Sequence, residues 1–243
     1  MFILSAGMPK SSSTLLSLYQ KNILEHSVQG NGQKEFEQCV KDGKVNGVGI
    51  FVHNLEQPEI LQKLVDLSEK IGPFVVKSHL ALSASLAAFL VNKQILATYI
   101  HRDPRDVILS AMDHGKRPPD HPTMNEFFLQ FNTVENSIPL VREFCRTGIE
   151  WVESGLCELF RYHDLVVDPE RELIRFSSLI HADPEVAYIR DLIRNFTDTT
   201  KKWKRQFNTG KILRYADEMS PPEIELCNRE LAEELRVLGY QTV

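Results

Sequence analysis

The first 18 residues constrain the fold more than any other stretch of this chain. The run Phe2–Ala6 is mostly apolar and predicts a buried strand, which Gly7 and Pro9 then interrupt. Four consecutive hydroxyl residues, Ser11–Thr14, follow and open a helical pattern of leucines at positions 15, 16 and 18. A strand, a tight turn and a helix in this order predict one unit of an α/β fold.

The turn between this strand and this helix is a predicted phosphate site. The first N–H groups of a helix lack partners, and the helix dipole favours negative charge there. Lys10 adds a positive charge, and Ser11–Thr14 add hydroxyl donors. The turn is not a Walker A loop, because Lys10 comes three residues after Gly7 and precedes the hydroxyls. A Ser/Thr-rich helix cap beside a solvated Lys10 is the simpler alternative.

Length and charge point to an ordinary globular domain. The chain has 243 residues, a net charge of −5 and a pI near 5.9. We predict a single domain over residues 1–243. The acidic balance argues against a nucleic-acid surface as the main function.

The cysteines and the apolar segments bear on the compartment. Four scattered cysteines without a C-x-x-C pair favour free thiols in a reducing environment and give no zinc framework. The N-terminus lacks the basic region of a signal peptide. The longest apolar segment, Leu80–Val91, is too short to span a bilayer and predicts a core helix. We therefore expect a cytoplasmic protein without a transmembrane segment.

Predicted strands and helices alternate along much of the chain. Further strands are predicted at Val48–Val52, Phe74–Lys77, Gln94–Ile100 and Leu156–Tyr162. Further helices are predicted from Lys34 to Lys41, from Pro58, and at Arg105–Met112, Met124–Thr147, Glu170–Ile180, Pro184–Asn195 and Pro222–Leu238. This alternation predicts a three-layer, P-loop-like α/β fold, with a central parallel sheet flanked by helices.

Reactive side chains stand at the ends of the predicted strands. They are Lys10, Lys77, His79 and Arg102. Ligands of parallel sheets lie at the carboxyl ends of the strands, so these side chains should converge on one crevice. A helix cap is the alternative role for His79, and a surface position is the alternative for Arg102.

Four motifs then follow one another in a recognisable order. Pro9–Thr14 is similar to a Pro-Lys-Ser-Gly-Thr-Thr loop that binds a 5′-phosphosulfate, with Ser12 in the usual place of glycine. Lys77–His79 matches a Lys-Thr-His strand end, Arg102–Ser110 resembles a 3′-phosphate motif, and Arg161–Leu165 resembles a Tyr-Glu-Asp strand end. Together they resemble the sulfotransferases that use 3′-phosphoadenosine 5′-phosphosulfate (PAPS).

The resemblance implies a reaction and a set of roles. A sulfuryl group would pass in line from PAPS to a hydroxyl acceptor, leaving 3′-phosphoadenosine 5′-phosphate (PAP), with no metal required. His79 would be the general base, Lys10 would stabilise charge on the bridging oxygen, and Lys77 would hold the sulfuryl oxygens. The implied donor-binding residues are Lys10, Ser11, Ser12, Ser13, Thr14, Arg102, Ser110, Tyr162, Arg205 and Gly210.

Two other functions fit parts of the pattern. One is a P-loop kinase of a small molecule that uses ATP and magnesium, although the Gly-Lys-Ser/Thr signature is missing. The other is a non-catalytic nucleotide-binding module. The acceptor remains open among small molecules, glycans, lipids and peptides. Its pocket is expected within Ala111–Thr147, with His114–Pro122 as a possible gate or an ordinary surface loop.

Overall fold

A six-stranded sheet forms the centre of the computed structural model, which describes residues 1–28, 30–116, 126–202 and 210–241. The strands are β1 (Phe2–Gly7), β2 (Gly47–Val48), β3 (Phe51–Val52), β4 (Val75–Ser78), β5 (Ile95–His101) and β6 (Glu158–Arg161). Their order across the sheet is β2–β3–β4–β1–β5–β6. Only the β2–β3 pairing is antiparallel among these neighbours. The predicted α/β fold with a mostly parallel sheet is therefore confirmed.

Helices cover both faces of this sheet. Those with described bounds are α1 (Ser13–Ser27), α2 (Gly32–Lys41), α3 (Pro58–Ile71), α4 (Ala84–Val91), α5 (Pro104–Gly115), α6 (Val134–Ser154), α7 (Tyr162–Val167), α8 (Pro169–Leu179), α9 (Val186–Lys202), α10 (Arg214–Glu218), α11 (Pro221–Glu230) and α12 (Ala232–Val237). In the part of the chain that the structure describes, no helix combines the length and apolar character needed to cross a membrane.

The alternation of side chains along β1 divides the core in two. Phe2, Leu4 and Ala6 pack into one buried cluster, which also holds apolar residues of α2 to α6. Ile3 faces the opposite cluster, which holds residues of α1, α8 and α9. Successive side chains of a strand point to opposite faces, so one strand can serve both cores. A layer of helices thus packs on each face of the sheet, which gives the three-layer architecture that the sequence predicts.

Local capping moves the ends of two predicted helices. The helix predicted over Leu80–Val91 begins at Ala84, because the Ser83 hydroxyl accepts the Leu86 N–H at 3.1 Å. The helix predicted from Met124 is interrupted: residues 126–128 are helical, a turn follows, and the long helix begins at Val134, where Thr133 is the N-cap, and continues to Ser154. Both helices therefore start at a capping hydroxyl inside the apolar pattern.

Three further predictions were wrong in extent. The strand predicted over Val48–Val52 is two short antiparallel strands, because Gly49 turns the chain with φ +59°. The single helix predicted over Pro222–Leu238 divides at Leu231, whose φ of −112° is not helical. The last predicted strand is shorter, since Tyr162 begins α7.

The register of the three central strands sets their ends at one level. Ala6 of β1 lies beside Ser78 of β4, and Gly7 lies beside Ile100 of β5. The residues that follow these strands, Met8, His79 and Arg102, therefore emerge along one edge of the sheet. This edge is where the predicted site residues were expected to meet.

Gly7 gives the first testable prediction, because a larger residue does not fit there. A Cβ at this position would lie 2.6 Å from the Ile100 methyl carbon and 2.9 Å from the Ser13 Cβ. Gly7→Ala should therefore lower the free energy of unfolding by roughly 1–3 kcal/mol, measured by urea denaturation. Gly148→Ala is the matched control, since its Cβ would meet nothing closer than 3.3 Å. Equal losses for both variants would contradict this account.

Candidate active site

The loop between β1 and α1 is tied to the end of β5. The Met8 N–H donates to the Ile100 carbonyl at 2.9 Å. The buried Ser11 hydroxyl lies 2.6 Å from the Met8 carbonyl and 3.1 Å from the Ile100 carbonyl. Lys10 and Ser12 both adopt left-handed backbone conformations, with φ of +68° and +65°. The Ser11 side chain is thus engaged within the loop, which turns tightly between the strand and the helix.

Helix α1 presents backbone donors at this loop. The Leu16 N–H donates to the Ser12 carbonyl at 3.1 Å, so the N–H groups of Ser13 and Thr14 precede the helical hydrogen-bond ladder. The Ser12 side chain caps none of them in the described structure, and the first turn carries no acidic residue. The positive end of the helix dipole is therefore uncompensated, as a phosphate site requires.

His79 is held between the end of β1 and the side chain of Lys77. Its Nδ1 lies 2.6 Å from the Gly7 carbonyl oxygen, and its Nε2 lies 3.2 Å from the Lys77 Nζ. A carbonyl can only accept, so Nδ1 carries the proton and donates to Gly7. Nε2 then has the lone pair, which accepts a hydrogen bond from the Lys77 ammonium. This tautomer leaves Nε2 as the basic nitrogen.

Burial keeps the imidazole neutral. Desolvation is the main cause that lowers the pKa of His79 to about 4; the Lys77 and Lys10 ammoniums act in the same direction and the Gly7 hydrogen bond opposes them. Burial also lowers the pKa of Lys77 to about 8. Near neutral pH the site therefore has an uncharged imidazole next to an ammonium.

Arg102 lies buried against the ring of Tyr162. Its guanidinium carbon is 4.1 Å from the ring centre. Nη2 donates to Asp106 Oδ2 and to the Lys211 carbonyl, both at 3.1 Å, and Nη1 lies 3.5 Å from the Lys10 carbonyl. The buried Nε has no hydrogen-bond partner among the described residues. An anionic oxygen at this guanidinium would complete its hydrogen bonding.

The segment after Gly210 closes one side of Arg102, through contacts of Lys211 and Tyr215 that the sequence analysis did not predict. The Lys211 carbonyl accepts hydrogen bonds from both Arg102 and the Tyr162 hydroxyl, the latter at 3.3 Å. The Tyr215 N–H donates to Asp106 Oδ1 at 3.0 Å. The sequence predicts that Asp106 pairs with a nearby arginine, and in the structure that arginine is Arg102. These backbone contacts leave no mark in the sequence.

The remaining predicted residues have unequal support. Ser110 is buried on α5, one helical turn beyond Asp106 and on the same side of the helix. Gly210 is exposed and has a φ of +67°. Arg205 lies outside the described residues, as does most of the predicted gate from His114 to Pro122. Their roles toward the donor stay predictions.

Aromatic side chains adjoin the loop on its other side. The Lys10 Nζ lies 5.3 Å from the centre of the Phe128 ring. Phe128 belongs to an aromatic cluster with Phe127, Phe131 and Phe144, whose neighbouring rings are 5.3–6.2 Å apart. Phe127 is 40% exposed. The cluster therefore places an apolar surface next to the ammonium of the loop, within the predicted acceptor segment.

A cavity of about 330 Å³ lies away from this loop, beside β6. Its charged lining includes Glu172 and Arg175, which are joined by an ion pair of 2.8 Å, so we assign it no role in the site. The described residues contain no cluster of His, Cys, Asp or Glu arranged to hold a metal ion.

The assembled site is a strand–loop–helix turn with basic side chains around it. A loop lysine, a buried arginine and a neutral histidine lie at one sheet edge. The family model described as the sulfotransferase domain matches residues 3–225. The chain belongs to the sulfotransferase family, which confirms the prediction from its motifs.

Solved structures with a similar fold include a sulfotransferase and a retinol dehydratase. Mouse sulfotransferase SULT7A1 complexed with PAP aligns at a TM-score of 0.65 and 14% identity, over 97% of this chain and 83% of that one. Retinol dehydratase in complex with androsterone and inactive cofactor PAP aligns at a TM-score of 0.60 and 13% identity, over 97% of this chain and 80% of that one. Retinol dehydratase in complex with retinol and PAP aligns at a TM-score of 0.58 and 14% identity, over 97% of this chain and 81% of that one. The comparison with curated proteins found no match.

The family model and the solved structures give no support to the alternative function of a P-loop kinase.

Ser12 provides a prediction about the loop itself. A left-handed conformation costs a non-glycine residue about 1–2 kcal/mol, and Ser12 has φ +65°. Ser12→Gly should therefore leave the free energy of unfolding unchanged or raise it by up to about 1 kcal/mol. Ser13→Gly, one residue later in the helix, should lower it by about 0.5–1 kcal/mol. Urea denaturation of the two variants tests this contrast, and a larger loss for Ser12→Gly would refute it.

Proposed function

We propose that this protein transfers a sulfuryl group from PAPS to the hydroxyl of a small molecule. The observation that carries the proposal is the position of His79. Its basic Nε2 lies within reach of Lys77, and its Nδ1 is anchored to the strand that opens the phosphate loop. A neutral base beside a preformed anion site suits transfer of an anionic group to a hydroxyl.

The donor would lie along the sheet edge, with its two phosphates in separate sites. The backbone N–H groups of Ser12, Ser13 and Thr14 would hold the 5′-phosphate, and Lys10 would lie at the bond that breaks. The Ser11 N–H already donates to the Met8 carbonyl at 3.2 Å, so Ser11 would shape the loop rather than donate to the phosphate. Arg102, with its unsatisfied Nε, and Ser110 would bind the 3′-phosphate, and Tyr162 would lie near the adenine. Arg205 and Gly210 are proposed to close over the 3′-phosphate.

The chemistry requires positioning and charge stabilisation. The acceptor oxygen attacks sulfur in line while the bond from sulfur to the bridging oxygen breaks, and its electron pair stays on the 5′-phosphate of PAP. Lys10 and Lys77 stabilise charge on the bridging and sulfuryl oxygens. His79 takes the acceptor proton at Nε2, so no free proton or alkoxide has to form.

The acceptor is proposed to be an apolar alcohol. The aromatic cluster adjoins Lys10 through Phe128 and offers apolar contact beside the reacting atoms. Retinol and androsterone, bound by structural neighbours, are small apolar hydroxyl compounds. Glycan and lipid acceptors remain alternatives that a substrate panel separates. We also propose a cytoplasmic location, where PAPS would be available.

The donor is tested by ligand-dependent thermal shift. PAP at about 100 times its Kd should raise the Tm by roughly 5–10 °C, since binding to the folded state contributes about 2.7 kcal/mol. Adenosine 5′-phosphosulfate, which lacks the 3′-phosphate, should give a smaller shift. Arg102→Met should remove most of the difference between these two ligands. Stabilisation by ATP with magnesium but not by PAP would contradict the proposed donor.

The base is tested by substitution at His79. His79→Asn should lower kcat for sulfuryl transfer about 10²–10⁴-fold, because general-base assistance is lost. PAP binding should stay close to that of the unmodified protein. His53→Asn is the matched control, because His53 packs edge-on against the ring of Phe51, at 5.3 Å between ring centres. Equal activity of His79→Asn and the control would exclude His79 as the base.

A further inference from the structure

We infer that Lys77 keeps His79 inactive until the donor is bound, so that the base becomes competent only in the donor complex. This inference rests on the proposed function and concerns the order of events at the same site. It assigns Lys77 a second role, in addition to its proposed contact with the sulfuryl oxygens.

The starting point is that His79 has one lone pair and Lys77 occupies it. Nδ1 donates to the Gly7 carbonyl at 2.6 Å, which leaves Nε2 as the only ring nitrogen able to accept. The Lys77 ammonium lies 3.2 Å from Nε2. A lone pair that accepts from an ammonium is not available to an acceptor hydroxyl.

The surroundings of His79 reinforce this state. Among the described residues, the charged groups that act on it are the ammoniums of Lys77 on β4 and Lys10 on the phosphate loop. From β3 it faces the ring of Phe51, at 6.2 Å between ring centres, and His53 packs against the same ring at 5.3 Å. No carboxylate contributes to these interactions, so the imidazole has no anion to stabilise its protonated form.

Lys77 has a weak partner in His79 and would gain a stronger one. Its ammonium lies 5.4 Å from the Phe51 ring, and its hydrogen bond in the described structure is to the neutral imidazole. An anionic oxygen adds direct charge–charge attraction to the hydrogen bond that an ammonium donates, and a neutral imidazole nitrogen does not. The sulfuryl group of the donor, bound at the neighbouring loop, therefore draws Lys77 away from Nε2.

The reaction then proceeds with a free base. The acceptor hydroxyl donates to Nε2, its oxygen bonds to sulfur, and the sulfur–oxygen bond to the 5′-phosphate breaks with its electrons on PAP. The proton ends on Nε2, and Nδ1–H still donates to Gly7. The acceptor cannot be activated before the donor is in place, so productive binding is ordered with the donor first.

The test follows His79 directly by NMR. The protein is produced with isotope-labelled histidine. It has eight histidines, so the His79 resonance is assigned as the one that is lost in His79→Asn. Titrations with pH are recorded for the free protein, with PAP and with PAPS. We expect PAPS to raise the pKa of His79 by at least about one unit, and PAP, which lacks the sulfuryl group, to raise it less.

A variant gives the second arm without any donor. Lys77→Met should raise the pKa of His79 in the free protein, and PAPS should then change it much less. Lys70 is an exposed lysine on α3, and Lys70→Met is the matched control. It should change neither the pKa of His79 in the free protein nor the rise in that pKa on PAPS binding. The inference is overturned if PAPS binds while the pKa of His79 is the same as in the free protein. If neither PAP nor PAPS binds, the proposed function fails as well.

Discussion

The parallel register of β1 with β4 and β5 is the constraint on which the site depends. Because Ala6 pairs with Ser78 and Gly7 with Ile100, three strands end together and the residues after them share one edge. The hydrogen bond from Met8 to Ile100 then fixes the loop against β5, and the one from His79 to Gly7 fixes the base against β1. The backbone of β1 thus positions both the phosphate loop and His79, the proposed base, before any ligand contributes.

The same edge concentrates positive charge. Lys10, Lys77 and Arg102 lie around the positive end of α1, and burial lowers the pKa of Lys77 to about 8. Such an arrangement costs free energy in the unliganded protein, since like charges lie close together and burial removes part of the hydration of Lys77 and Arg102. A dianionic or trianionic ligand supplies the missing charge, so part of its binding free energy comes from relieving this repulsion.

The sequence was informative where local pattern and function coincide. The apolar runs of β1, β4 and β5 and the order of the motifs predicted the sheet, its ligand edge and the family. The predictions from sequence were wrong where tertiary contacts determine the ends of helices. The start of α6 at Val134 and the break at Leu231 depend on capping and packing, and the hydrophobic period does not reveal them. The contacts of Lys211 and Tyr215 use backbone atoms, which any residue type could provide.

Two arginines three residues apart illustrate what only the structure separates. Four of the five N–H donors of Arg105 are engaged: two bond to Asp103, one to Asn228 and one to the Gln241 carbonyl. Arg102 has longer, shared contacts and a buried Nε without a partner in the described chain. A guanidinium whose three nitrogens all donate within the protein gains little from an anion, whereas one with an unpartnered buried Nε gains a hydrogen bond. Arg105 therefore anchors the C-terminal segment, and Arg102 is the one left able to bind a ligand.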